Sequence, residues 1–293
     1  MKNILSTLTL LLMSTLLLHA QTSVEIPLWP QGAPTDNGMR GTQEDLSGGE
    51  EAFIPHPSIT IYPASRPNGM AIIMCPGGGY ARLALGHEGH DMAAWFNAQG
   101  ITYVVLKYRM PNGHWEVPLS DAEQAIRLVR QKAVDFGINP QRIGIMGASA
   151  GGHLAASLAT LYNSDETRPD FQILFYPVIS MKPGITHEGS RFNLLGPDAT
   201  TEQEDHFSLE KQVNERTPQA FIMLSSDDMT VIPQNSIDYY NALNKHHIPA
   251  SLHVYPTGGH GWGFGDGFIY KRQWTGELEK WLKEGLTFTT TNN

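Results

Sequence analysis

The chain has 293 residues, a formal net charge of −9 and a single cysteine, Cys75. The acidic balance argues against a nucleic-acid partner, which would want a basic face, and a lone thiol excludes an intramolecular disulfide, so stability has to come from core burial. The length suits one α/β domain on a single large sheet.

Met1 to Ala20 sets Lys2 ahead of an apolar run, Leu8 to Leu18, broken only by Thr9, Ser14 and Thr15 and closed by the small Ala20. This reads as a secretory signal peptide, too short for a comfortable membrane span. Cleavage is expected after Ala20, although Leu18 is not the ideal small residue at the minus-three position. The remainder, residues 21–293, is expected to be a single domain, secreted or periplasmic, with no membrane attachment after cleavage.

From Gln21 to Arg66 the chain is rich in Pro, Gly and Asp, with short apolar alternations at Val24 to Leu28 and Ser58 to Tyr62. These predict edge strands separated by a long loop. From Met70 onward six apolar runs have strand length: Ala71 to Cys75, Thr102 to Leu106, Ile143 to Met146, Gln172 to Tyr176, Ala220 to Leu224 and Ser251 to Tyr255. Helical segments mostly separate them, which predicts a largely parallel sheet with helices on both faces. The clearest crossover helix is expected over Ser120 to Phe136, with Ser120 and Glu123 as a capping box and Gly137 as its stop. A last helix near Lys271 to Lys283 has Trp274, Leu278, Trp281 and Leu282 on one side, a pattern of core packing.

The segment Arg142 to Ala159 carries the chemistry. A short apolar strand stops at Gly147-Ala148-Ser149-Ala150-Gly151 and resumes as an alanine-rich helix. A serine on so sharp a strand-to-helix turn needs small neighbours, because the two backbones nearly touch. Ala150 would start the helix with a free N–H, ready to meet a developing oxyanion. Pro76-Gly77-Gly78-Gly79-Tyr80 follows the first strong strand, so its glycines lie at the carboxyl edge of the sheet, where two further N–H donors would complete an oxyanion hole. Neither G-x-G-x-x-G nor Gly-Lys-Ser/Thr is present to make it a nucleotide loop.

A serine nucleophile needs a base. Of the twelve histidines, only His260 sits between glycines after a late strand. His87 and His90 lack the H-E-x-x-H spacing of a zinc helix and read as structural or rim residues; His153, on the first turn after the elbow, reads as packing or capping. No other metal-ligand spacing occurs, and no cofactor is called for. The base needs a carboxylate to fix its tautomer, and Asp227 and Asp228 follow a strand end. The chain order Ser149, Asp228, His260 is that of an α/β-hydrolase.

These motifs, with Leu28 to Pro34, His87-Glu88-Gly89, Leu106 to Arg109 and Asn235-Ser236, resemble the carbohydrate-esterase branch of the α/β-hydrolases, the secreted acetyl xylan esterase and feruloyl esterase-like proteins of plant-polysaccharide-degrading bacteria. The resemblance implies an α/β-hydrolase fold, Ser149 as nucleophile, His260 as base, an aspartate at 227 or 228, and backbone donors from Gly78, Gly79 and Ala150. Related hydrolases often place the acid in Asp-x-x-Val with a proline close behind, which favours Asp228. Pro76 stands where lipase-like relatives have a histidine before the triple glycine, so any loop-holding role of that residue is absent. Tyr80, beside the oxyanion loop, is a candidate substrate-binding residue, with a packed structural tyrosine as its alternative. The expected partner is an acylated plant-polysaccharide oligosaccharide, acetylated ahead of feruloylated. A prolyl-oligopeptidase-type peptidase would share the elbow but usually carries a gating domain, and a non-catalytic scaffold protein would be expected to lack the nucleophile or base.

Overall fold

The computed structural model describes residues 23–41, 44–46 and 50–286, so the signal-peptide reading falls outside the described residues. Along the chain the strands are β1 (Val24–Pro27), β2 (Glu44–Leu46), β3 (Glu50–Ala52), β4 (Ser58–Tyr62), β5 (Gly69–Cys75), β6 (Arg82–Ala84), β7 (Thr102–Lys107), β8 (Ile138–Ala148), β9 (Phe171–Phe175), β10 (Ala220–Ser225) and β11 (Ala250–Tyr255). The large sheet runs β1-β4-β7-β5-β8-β9-β10-β11, while β2, β3 and β6 form a small antiparallel one. Every pair from β7 to β11 is parallel, and only β1 with β4 and β4 with β7 are antiparallel. Interior strands β5, β9 and β10 are buried at almost every residue, whereas the edge strand β11 is mostly half-buried.

The helices are α1 (Ala93–Ala98), α2 (Glu116–Gln131), α3 (Ser149–Leu161), α4 (Glu188–Leu195), α5 (Thr201–His206), α6 (Gln234–Lys245) and α7 (Lys271–Lys280). Strand alternation assigns two of them to faces. Phe175 of β9 packs edge-on against Trp274 of α7 at 5.0 Å, while Gln172, three residues earlier on the same strand, accepts a hydrogen bond from the Tyr239 hydroxyl of α6 at 3.0 Å. Odd and even positions of β9 point to opposite sides, so α6 and α7 cover opposite faces. Trp95 of α1 meets Trp274 at 6.0 Å and joins the α7 side. The tryptophan at 274 is core, fully buried as its apolar neighbours suggest.

Two elements differ from expectation. Ser58–Tyr62 is one strand in from the edge, because β1 pairs along its outer side. Helix α2 begins at Glu116, ahead of the supposed cap at Ser120. Pro118 lies in its first turn, where a missing N–H costs nothing, and the Ser120 hydroxyl donates to the Val117 carbonyl at 2.8 Å instead of capping. The α-helix ends at Gln131, and a 3-10 turn over Val134–Phe136 leads to Gly137, whose φ of 62° closes the segment.

Strands β5, β8, β9, β10 and β11 are consecutive neighbours and all end at one edge. The loops leaving that edge build the candidate site.

Candidate active site

β8 ends at Ala148 and α3 starts at Ser149, with nothing between. Ser149 sits at φ 54°, in the left-handed region that a non-glycine residue enters at a cost of order 1–3 kcal/mol. The glycines around it are sterically required. A Cβ on Gly147 would overlap the Gly151 carbonyl, and one on Gly151 would overlap the Cys75 carbonyl. The serine hydroxyl is thereby pushed over the sheet edge, 2.8 Å from Nε2 of His260.

His260 leaves the edge after β11. Its Nδ1–H donates to Oδ2 of Asp228 at 2.6 Å, which leaves Nε2 as the acceptor facing Ser149. Asp228, 1% exposed, leaves the edge after β10, and its Oδ1 accepts from the N–H groups of Thr230 and Val231, both at 2.9 Å. Asp227 is turned elsewhere. It accepts from the N–H of Gly259 at 2.8 Å and of Gly258 at 3.3 Å, so it holds the histidine loop from outside. Of the adjacent aspartates, Asp228 is the one bonded to the imidazole.

The triple glycine leaves the edge after β5. Gly78 and Gly79, at φ 128° and 65°, border the same cavity as Ser149 and His260. Gly78 tolerates no side chain, since a Cβ would run into the Arg82 carbonyl. Ala150, second residue of α3, carries an N–H that the helix cannot satisfy internally. With Pro76 in place of histidine, other groups hold this loop. The Tyr108 hydroxyl donates to the Pro76 carbonyl at 2.7 Å, Nδ2 of Asn193 donates to the Gly79 carbonyl at 2.8 Å, and Oε2 of Glu88 accepts from the Gly77 N–H at 2.9 Å.

Tyr80 does not reach the cavity, and the substrate-binding reading is corrected. Its φ of 60° turns the ring inward, where it is 2% exposed and bonds through its hydroxyl to Nδ1 of His153 at 3.0 Å. His153 is fully buried under the elbow. Its Nε2–H donates to the Phe207 carbonyl at 2.9 Å, and burial pushes its pKa down to about 4, the packing role expected of it. His90 bonds to the Tyr62 hydroxyl at 2.9 Å, and His87 stands at the cavity rim.

Four residues at the site are not among those the sequence assigns a role there. Glu88, 3% exposed, also accepts from the Tyr176 hydroxyl at 2.7 Å. Tyr176 packs its ring edge-on against His260 at 4.7 Å. Asn193 of α4 grips the glycine loop, as described. His187, the α4 N-cap, lines the cavity and accepts at Nδ1 from the Ser190 N–H at 3.2 Å. Burial first, and then the nearby His260, lower its pKa, so it stays neutral with its proton on Nε2. Only the run His87-Glu88-Gly89 hinted at any of them.

The cavity has a volume of about 360 Å³. Among the described residues that line it there is no Phe, Tyr or Trp; the imidazoles of His87, His187 and His260, with Asn193, Thr230 and the Glu50–Arg82 ion pair, give it a polar wall. Among the described residues no group of three or more His, Cys, Asp or Glu side chains is placed to hold a metal ion.

A buried strand, a sharp elbow, a glycine loop and a histidine loop at one sheet edge define a class, and comparison agrees: residues 72–264 match the family described as alpha/beta hydrolase fold, and the chain belongs to it. Its relatives include an acetylxylan esterase of Xylanibacter ruminicola, 43% identical over 221 residues, which covers 74% of this chain and 46% of that protein. Endo-1,4-beta-xylanase B of Butyrivibrio fibrisolvens is 38% identical over 204 residues, 65% of this chain and 32% of that protein. The chain thus spans about half the length of the first and a third of the second. Among solved structures, an acetyl ester-xyloside bifunctional hydrolase from Caldicellulosiruptor lactoaceticus superposes with a TM-score of 0.76 at 36% identity, covering 89% of this chain and 95% of that one.

Proposed function

We propose that the chain is a serine carboxylic ester hydrolase that removes acyl groups, acetyl foremost, from xylan-type polysaccharide. The observation that carries the reading is the hydrogen-bonded line from Asp228 through His260 to Ser149, ending beside Gly78 and Gly79. The names of the relatives support the ester class and the xylan substrate.

In this reading Oγ of Ser149 attacks the ester carbonyl while its proton passes to Nε2 of His260. Asp228 keeps the Nδ1–H and stabilises the imidazolium that forms. The N–H groups of Gly78, Gly79 and Ala150 receive the tetrahedral oxyanion, each donor being worth on the order of 10²-fold to 10³-fold in rate. Collapse expels the sugar alcohol, which takes the proton from Nε2. Water, deprotonated by the same imidazole, then cleaves the acyl-enzyme and regenerates the serine. The scheme calls for no cofactor.

The polar cavity, with no Phe, Tyr or Trp among the described residues that line it, favours a small acyl group on a hydroxylated leaving group, because a feruloyl ring would find no apolar aromatic partner there. Acetylated xylooligosaccharides and methyl ferulate, assayed side by side, test this. Faster turnover of the acetylated sugar is expected, and a higher kcat/KM for methyl ferulate would refute the ordering.

A further inference from the structure

The acyl-transfer scheme leaves one buried carboxylate at the site without a task. We propose that Glu88 is a positioning residue that holds the oxyanion loop and the histidine loop in register on either side of Ser149; the proposal rests on the esterase reading above.

Both carboxylate oxygens are engaged, and each by a different wall of the site. Oε2 accepts the Gly77 N–H at 2.9 Å, at the head of the glycine loop. Oε1 accepts the Tyr176 hydroxyl at 2.7 Å, and that hydroxyl in turn accepts the Gly263 N–H at 2.8 Å, three residues beyond His260. The turn that bears Glu88 adds a second tie, since the His87 carbonyl accepts the Phe264 N–H at 2.8 Å. The turn itself is fixed: its Gly89 carbonyl accepts the Tyr103 hydroxyl at 3.0 Å, and the His90 N–H donates to the Leu85 carbonyl at 2.7 Å. A Cβ on Gly77 would strike Glu88 and the Ala148 carbonyl and crowd the Ser149 side chain, so loop, carboxylate and elbow meet at one point.

The chemistry explains why the residue is a glutamate. No ion pair of Glu88 occurs among the described residues, and a buried, unpaired carboxylate is costly. What it provides is two acceptors and no donor. Gly77 can only donate. If Tyr176 also donates to Glu88, its oxygen lone pairs are left for Gly263, and the whole line is satisfied. A glutamine would turn its NH₂ toward one of two donors, so either Gly77 loses its acceptor or the tyrosine proton does. The carboxylate thus sets one hydrogen-bond direction across the site, and with it the separation between the oxyanion donors and His260, whose ring rests on Tyr176.

The experiment compares wild type, Glu88→Gln, Glu88→Ala, Tyr176→Phe and the double variant Glu88→Gln/Tyr176→Phe on p-nitrophenyl acetate, with folding followed by circular dichroism. Expected is a kcat lower by about tenfold to a hundredfold in Glu88→Gln with KM nearly unchanged, as for a displaced catalytic geometry. The double variant should be no slower than the slower single one, because both changes cut the same line. Folded Glu88→Gln with wild-type kcat, a loss confined to KM, or effects that multiply in the double variant would overturn the proposal. Amide exchange at Gly77 in Glu88→Ala, and at Gly263 in Tyr176→Phe, is read by NMR in the same preparations and should quicken at those positions. If wild type hydrolyses no ester at all, the esterase reading fails on its own account, and unchanged exchange at both glycines would then still sink the brace.

Discussion

At the carboxyl edge of the sheet Ser149, His260, Asp228, Glu88 and Tyr176 are bonded or packed against one another; at the amino edge of the same strands, arginines turn onto backbone carbonyls. Arg130 donates to the carbonyls of Pro140 at 3.1 Å and Arg168 at 2.7 Å, and Arg168 donates to that of Arg216 at 2.8 Å. Asp170 there accepts from the Ile143 N–H at 2.9 Å and lies 3.6 Å from Arg130. These side chains tie loops together, and among the described residues of this edge no carboxylate is bonded to a histidine that itself meets a hydroxyl. The carboxyl edge differs because strands ending there deliver the glycine loop, the elbow and the histidine loop to one cavity. Polar residues are common at both edges, and the carboxyl edge holds the hydrogen-bonded line Asp228–His260–Ser149 on which the proposed proton transfer rests.

The contrast is sharpest for Ser149→Ala, which should fold normally and lose ester turnover by on the order of 10⁶-fold. Steady-state assay of a clean preparation checks it; wild-type turnover would end the assignment. Next is the aspartate pair. Asp228→Asn should cost on the order of 10⁴-fold by disturbing the imidazole tautomer, while Asp227→Asn, which touches only the loop N–H groups, should be mild. A crippled Asp227→Asn beside a mild Asp228→Asn would exchange their roles.

A smaller effect concerns stability under the elbow. His153 is held near a pKa of about 4 by burial, against about 6.5 when unfolded. Below 6.5 the unfolded chain therefore binds a proton that the folded chain refuses, so this contribution is fully present above pH 6.5 and is lost as the pH falls toward 4. The full difference amounts to about 3 kcal/mol. Urea melts at pH 7 and pH 4.5 should show a smaller difference in His153→Asn than in wild type; equal differences would remove His153 from the account. The smallest effect belongs to the amino edge, where Arg130→Ala should lower stability by about 1 kcal/mol through the loss of largely exposed hydrogen bonds and leave kcat unchanged. A fall in kcat at the temperature of full folding would mean that the two edges are not independent.

Much of the carboxyl edge was legible because its constraints are local. An apolar run of strand length, a serine between glycines that cannot carry a Cβ, and a histidine between glycines are each written within a few residues. Even the choice of Asp228 rested on a local spacing to Val231. Glu88, Tyr176 and Asn193 escaped because they bond to partners far along the chain, 88 residues apart for Tyr176 with Glu88 and 114 for Asn193 with Gly79, and His187 escaped because the cavity it lines exists only in the folded chain. Tyr80 misled for a related reason: proximity to the glycine loop is visible in sequence, but the backbone angle that sends the ring into the core is not. Ser120 misled by resembling a cap when the helix had already begun beneath Pro118.

The order of the strands also sets when the chemistry becomes possible. The proposed nucleophile stands on an interior strand and the proposed base follows the edge strand β11, which is bonded along one side only. Along the chain Ser149 precedes His260 by 111 residues, so the elbow lies ahead of the base in sequence. Until that last strand docks, Ser149 has no imidazole beside it to take its proton.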